Sequence, residues 1–291
     1  MRRSTRSRRT TRRPRRSFRP SLKRRKRFVR KPRMTRKSIL NITSRKKQDN
    51  MVSTTAANNG GSPTPSAATV AGNVGATYIW RCTARDRTDI TSTADFNSVA
   101  NRNNDTVFMR GLREDCLVTT NNGTMWNWRR IVFRAKGLQD WFSAEAGITV
   151  LTELETSNGW SRLLTNNRGT PLGTALLTLI FRGQSGVDWL DGHTAKLDTS
   201  RITVMFDKTM YVRSGNTSAA QIHRKFWHRM NKSFVYESDE VGSGETSRVG
   251  HALGKFGMGD VYVIDLFDAT IPTSDNLLLY QPQATLYWHE R

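Results

Sequence analysis

Beyond Thr77 the chain is written in short apolar runs separated by polar breaks. Eight runs stand out: TYIWRCTA (77–84), TVFMRGLREDCLVT (106–119), MWNWRRIVFRAK (125–136), TALLTLIFR (174–182), RITVMFDKTMYVR (201–213), KFWHRMNKSFVYE (225–237), GDVYVIDLFD (259–268) and QATLYWHE (283–290). Each is rich in Val, Ile, Thr or aromatic residues and is bounded by Gly, Asn, Asp, Ser or Pro, the signature of strands. Ile202, Val204 and Phe206 alternate with Arg201, Thr203 and Met205, the period of two of a half-buried strand. Val261, Tyr262, Val263 and Ile264 are apolar at both parities, which predicts a central strand covered on both faces. No stripe of helical period persists. Short helical pieces are expected only near Gln139–Glu145 and Val187–Leu190. Strands joined by connections too long for simple hairpins predict an all-β domain over residues 77–291, a single eight-stranded jelly roll of two packed antiparallel sheets. The connections at 137–173 and 238–258 are the longest, and long loops on a rigid scaffold carry contacts and function.

Ahead of this body the texture is different. Residues 48–76 are small and polar, with Pro63, Pro65 and several glycines, and read as a flexible linker. Residues 1–47 are a polycation. Of the 47 Lys and Arg in the chain, 23 precede Gln48, and no acid occurs before Asp49; the remaining 24 are matched by all 24 Asp and Glu. The whole formal charge of +23 therefore sits on the first 47 residues, attached to a formally neutral body. A block of like charges with few apolar residues cannot bury enough surface to offset its chain entropy, so disorder is expected of it alone. Its natural partner is a polyanion. Full engagement of a single strand would make log K fall against log salt with a slope of roughly −16. The arm would reach at most about 155–170 Å when extended.

The cations expected to hold nucleic acid are Arg2, Arg3, Arg6, Arg8, Arg9, Arg12, Arg13, Arg15, Arg16, Arg19, Lys23, Arg24, Arg25, Lys26, Arg27, Arg30, Lys31, Arg33, Arg36 and Lys37. Lysine enters only in the second part of this block. Lys23, Arg24, Arg25, Lys26 and Arg27 (KRRKR), with Arg30, Lys31 and Arg33 of RKPR, are the dense clusters expected to be read by a nuclear import receptor. Within the body, basic and aromatic residues interleave twice. NWRRIVFR carries Trp128, Arg129, Arg130 and Arg134, and HRKFWHR carries Arg224, Lys225, Phe226, Trp227, His228 and Arg229; rings that stack bases beside cations that hold phosphates make a non-specific single-strand surface.

Other chemistry is sparse. GHALGKF (Gly250–Phe256) has Val249 and Phe256 where a phosphate-binding loop needs Gly and Ser or Thr. The histidines form no metal-ligand spacing, and His223 and His228, five apart on a strand, face opposite ways. Asp188, Asp191 and Asp198 read as turn residues and caps. Cys82 and Cys116 make neither a disulfide framework nor a tetrahedral metal set. The longest apolar stretch, Ala175–Phe181, is too short to span a membrane. No enzyme activity, cofactor or metal is predicted.

The segments VDWLDGHTAKLD, RITVMFDKTMYV, KFWHRMNKSFVYE, GKFGMGDVYVIDLF and LLLYQPQATLYWHE, in this order, resemble genomovirus capsid proteins of the gemycircularvirus type. KFWHRMNKSFVY and the ATLYW ending are distantly similar to geminivirus capsid proteins. The resemblance implies a jelly roll with strands lettered B to I and self-assembly into an icosahedral T=1 shell around circular single-stranded DNA. It also implies entry to the host nucleus through importin, with no membrane involved. Geminivirus capsid proteins carry a zinc-finger-like Cys/His element near the N-terminus; no Cys precedes Cys82 here, so no zinc is carried over. The other class that fits the arm is a cellular nucleic-acid-binding module of ribosomal or chromatin type, which leaves the large neutral body unexplained.

Overall fold

A computed structural model describes residues 34–56, 62–87, 98–141, 151–254 and 256–291. The chain divides into two units between Ile42 and Thr43. Helix α1 (Arg36–Thr43), at the end of the first, opens where the Thr35 hydroxyl accepts from the Ser38 amide at 3.2 Å. The arm cations from Arg2 to Arg33 lie outside the described residues.

The second unit is built from strands β1 (Arg45–Met51), β2 (Ser53–Thr55), β3 (Thr64–Pro65), β4 (Ala68–Ala71), β5 (Ala76–Arg81), β6 (Thr106–Thr120), β7 (Trp126–Ala135), β8 (Glu155–Thr156), β9 (Gly159–Trp160), β10 (Arg162–Leu164), β11 (Thr203–Val212), β12 (Gln221–Val241), β13 (Gly244–His251), β14 (Asp260–Ala269) and β15 (Leu277–Glu290), with helix α2 at Pro171–Ile180. Two antiparallel sheets dominate. The first runs β1-β15-β6-β12-β13, with β4 pairing the start of β15 along the same edge as β1. The second runs β11-β7-β14-β5.

Seven of the eight apolar runs are strands in these sheets; the exception is TALLTLIFR, which lies mostly in α2. The Thr170 hydroxyl caps α2 by accepting from the Gly173 amide at 3.1 Å, and Pro171 opens the helix with a pre-set φ. Leu172, Leu176 and Ile180, spaced by four, are its buried face. They pack with Ile79, Ile131, Phe133 and Ile264, covering the outer side of the second sheet. The apolar content of TALLTLIFR suits a strand as well as a helix, and the spacing by four is what marks the helix. Near Val187–Leu190 the chain makes turns instead of a helix.

The linker expected at 48–76 is corrected. β1, β2, β3 and β4 occupy much of it, and residues 57–61 lie outside the described residues. β1 is polar in composition because its outward side chains meet water, while its backbone pairs with β15 from Arg45↔Glu290 to Met51↔Ala284. The arm therefore ends before Arg45: Lys47 is buried, 3.1 Å from Glu290, and donates to the Asn101 carbonyl at 2.7 Å. The connection expected at 238–258 is largely the hairpin of β12 and β13. The alternation expected along β11 breaks at a bulge between Val204 and Phe206, so Val204 packs outward under α2 and Phe206 packs into the interior.

Both sheets contribute to the interior between them. At one end Trp80, Leu112, Val132, Val263, Phe234 and Trp288 pack together; at the other, Tyr78, Val118, Trp128, Phe267 and Tyr280 do. β14 is buried on both faces, as its unbroken apolar run predicts: Val261 and Val263 point inward, Tyr262 and Ile264 toward α2.

Between the two apolar groups lies a charged cluster with no solvent access. Arg130 binds Asp265 through Nε at 2.8 Å and Glu114 through Nη1 at 3.1 Å. Arg162 binds the same two carboxylates at 2.8 and 3.0 Å. Trp128 Nε1 and the Tyr280 hydroxyl donate to Asp265 at 2.8 and 2.9 Å. Burial alone would push Asp265 upward, but Arg130, then Arg162 and Trp128, outweigh it and hold the carboxyl down at about 2. Both guanidiniums lie against rings, Arg130 4.5 Å from Phe226 and Arg162 4.5 Å from Trp80. Two cations and two anions cancel, which is the condition for burying them at all.

Candidate nucleic-acid interface

Of the two interleaved basic-aromatic segments, NWRRIVFR is buried from Trp128 to Phe133 and open only at its ends, Asn127 and Arg134, whereas HRKFWHR lies along an exposed face. β7 sits between β11 and β14, covered on both sides. Arg130 is wholly buried in the charged cluster, and Arg129 grips Asp207 through Nε and Nη2 at 2.9 and 2.8 Å while Nη1 donates to the carbonyls of Gly192 and Ala195. Neither can meet DNA, and both are withdrawn as contacts. A cation in the buried middle of a doubly covered strand has to find its anion within the protein.

β12 divides its segment by parity. Phe226 and His228 turn inward, with Phe226 edge-on to Trp128 at 5.7 Å, so Phe226 is also withdrawn. His228 packs on Phe226 and Phe206; burial, only partly countered by Glu114, drives its pKa down to about 4. Lys225, Trp227 and Arg229 face out. Arg224 is exposed on the other parity of the same strand.

Trp227 is the centre of the outward face. It is half exposed and lies over Gly111 of β6, where a Cβ would come within 2.8 Å of its ring, so glycine is required beneath it. Tyr287 of β15, opposite Gly111 in the ladder, lies 5.7 Å from Trp227. Two residues further along β15, His289 lies 6.2 Å from Phe108. Cations surround these rings: Lys225 and Arg229 on β12, Arg110 and Arg113 on β6, and Lys46 on β1 opposite His289. Asp115 is the acid within this group, 2.8 Å from Arg113 and 3.5 Å from the His223 ring. Rings accessible from one side and cations at their margin can stack bases and neutralise phosphates without reading sequence.

Tyr287, His289, Phe108 and Arg113 escaped the sequence reading. ATLYWHE does alternate, with Tyr287 and His289 on one parity and the buried Trp288 and Glu290 on the other, but nothing in the sequence says that it pairs with β6 beside Trp227.

Asp188, Asp191 and Asp198 each accept a backbone amide at a turn, from Gln184, His193 and Ser200. Among the described residues no group of three or more His, Cys, Asp or Glu is placed to hold a metal ion. Cys82 and Cys116 are buried free thiols; burial raises both, Cys116 to about 12. Among the described residues no helix is long and apolar enough to cross a membrane. No protein-family model matches the chain, and no curated protein does.

Proposed function

We propose that the protein is the coat protein of a small single-stranded DNA virus of the genomovirus kind, a jelly-roll subunit that encloses its genome and grips it through the N-terminal arm. The observation that carries this reading is the segregation of charge: of the net +23, +20 precedes β1 (20 basic residues and no acid before Arg45), and the body from Arg45 on keeps only +3, 27 basic residues against 24 acidic. Subunits that pack side by side in a closed shell need surfaces that do not repel one another, while the packaged polyanion needs a concentrated counter-charge. A chromatin or ribosomal module explains the arm and gives no reason for a neutral body of this size.

Strand pairing supports the jelly roll. Taken in chain order, with β1 and β4 as two parts of the first, the principal strands β1/β4, β5, β6, β7, β11, β12, β14 and β15 pair first with eighth, second with seventh, third with sixth and fourth with fifth. That is one long hairpin rolled into two sheets, B-I-D-G and C-H-E-F in the usual lettering. β13, α2 and the short strands are additions to it.

The test is assembly. Expression of the full chain should yield uniform closed particles by electron microscopy, holding nuclease-protected single-stranded DNA. Removing residues 1–37 should abolish the protected DNA and leave the β body folded. A soluble monomer under all conditions would refute the coat-protein reading. For import, Lys23–Arg27 and Arg30–Arg33 should carry a fused fluorescent reporter into the nucleus, and a cytoplasmic reporter would remove that part of the proposal.

A further inference from the structure

A cleft of about 660 Å³ opens at one end of the body, where the two sheets separate. The end of β7 supplies Arg134 and the residue just beyond it Lys136, the approach to β11 supplies Arg201, and β12 supplies Asn231 and Lys232. Phe108 and Met258 form the apolar part of its wall. Its charged residues are thus four cations, and no acid lines it among the described residues. The nearest compensation is Asp198, 3.5 Å from Arg201. Neither Arg134 nor Lys232 has a carboxylate partner among the described residues.

Like charges do not gather in a concavity without cost, and here the backbone is bent to bring one of them in. The ladder of β12 on β6 slips between Arg229 and Lys232. Asn231 takes φ +49°, the only positive φ of a non-glycine residue among those described, and its side chain accepts from Arg110. Asparagine tolerates that region better than most residues. The extra residue re-aims Lys232 and the side chains beyond it, and bulges recur where a strand must present a side chain to a ligand. The opposite wall is pinned as well: the Met258 amide donates to the Ser233 carbonyl at 3.0 Å, and Lys136 Nζ donates to the carbonyls of Gly254 and Phe256.

The cleft also continues the outer face. Phe108 lines it and stands beside His289, while Arg110 of that face binds Asn231 of the cleft. Phe108, His289, Tyr287 and Trp227 then form a row of rings that ends in a cationic hollow.

We propose that this cleft is a phosphate site of the body itself, and that it takes a backbone phosphodiester of single-stranded nucleic acid whose neighbouring bases lie along the ring row. The identity of the ligand rests on the coat-protein reading; the site rests on the four cations. The body then orders a stretch of the genome that the arm only neutralises.

The experiment is lysine acetylation footprinting of the full chain, read by mass spectrometry, with anisotropy of labelled oligothymidine as the measure of binding. Oligothymidine should lower the reactivity of Lys136 and Lys232 several-fold and leave Lys196, exposed and outside the cleft, unchanged, and inorganic phosphate should protect them far less. The double variant Arg134→Ala/Lys232→Ala should flatten the salt dependence of oligothymidine binding by about 1.4 in slope, roughly 0.7 for each phosphate no longer neutralised. Equal protection by inorganic phosphate would overturn the nucleic acid as ligand. Oligothymidine that binds while both lysines stay reactive would overturn the cleft and leave the coat-protein reading standing. No binding at all would overturn both. Protection that appears on concentrating the protein without nucleic acid would assign the cleft to a neighbouring copy, whose exposed Asp239 and Glu240 hairpin has the matching charge, and would also overturn the proposal.

Discussion

NWRRIVFR on β7 and HRKFWHR on β12 each carry three cations, a tryptophan and a phenylalanine, and most of these side chains meet different fates. On β7, Arg129 and Arg130 are drawn into the protein and neutralised; on β12, Lys225, Trp227 and Arg229 look out. The difference lies in the neighbours. β7 has a strand on each side, α2 and its loops over one face and the first sheet over the other. Over the same stretch β12 pairs only with β6, and its outer face is uncovered. An arginine beside a tryptophan is therefore a structural ion pair in one place and a candidate ligand site in the other, and acids on other strands decide which. Glu114, Asp207 and Asp265 supply β7, whereas the outward side chains of HRKFWHR have Asp115 of β6 beside them.

The largest effect should come from breaking the buried side of this contrast. Arg130→Ala leaves Glu114 and Asp265 with one cation between them in a site closed to water. Removing one partner of a buried charge group costs about 3–5 kcal/mol. Urea denaturation should show the loss in full; a change under about 1 kcal/mol would mean that water reaches the cluster.

The same cluster gives the next effect, in pH. His228 takes a proton in the unfolded chain near its ordinary 6.5 and in the folded chain only near 4. Its pKa is depressed on folding, so the unfolded state binds the proton first as pH falls, and stability drops between 6.5 and 4. The full drop is about 3 kcal/mol. Asp265, held at about 2 against 3.8, adds its loss only below that window. His228→Phe, which keeps the ring packing on Phe226, should flatten the profile from pH 6.5 to 4, and an unchanged profile would place the titration elsewhere.

Much of the fold was legible because a strand's period of two is local. Seven of the eight runs, and the double burial of β14, follow from side-chain order alone. The misreadings share a cause. α2 was hidden because Leu and Ile serve helix and strand alike, and its signals were the Thr170-Pro171 start and the spacing by four. β1 was hidden because a strand's hydrogen bonds are backbone bonds, and RKKQDNM needs few apolar side chains to dock on β15. The interface was half legible. Parity on β12 selects Lys225 and Trp227 over Phe226, but the contribution of Tyr287 depends on register between β15 and β6, which is a long-range fact.

On the exposed side the ring should matter more than any one charge. Trp227→Ala removes a stacking surface worth about 1–3 kcal/mol per base, roughly a five- to 150-fold loss of oligothymidine affinity. The contrast is sharpest at raised salt, where the cationic arm contributes least. The thermal midpoint should barely move, because half of the ring is already in water. Tyr287→Ala should lose affinity in the same direction, and the two losses should fail to add if one base is held by both rings. A Trp227→Ala protein that binds as tightly as wild type at raised salt would leave the outer face without a role in binding.

The smallest effect is the most diagnostic of mechanism. Lys225→Ala should leave stability within about 0.5 kcal/mol, since the side chain is exposed. It should lower oligothymidine affinity only modestly, yet it should reduce the salt slope by about 0.7 if Lys225 holds a phosphate. Trp227→Ala should leave that slope alone, because stacking releases no counterions. The two variants therefore separate along different axes of one salt titration. If Lys225→Ala shifts affinity at constant slope, the lysine acts by positioning Asp115 opposite it in the ladder, and the phosphate contacts of the body lie elsewhere.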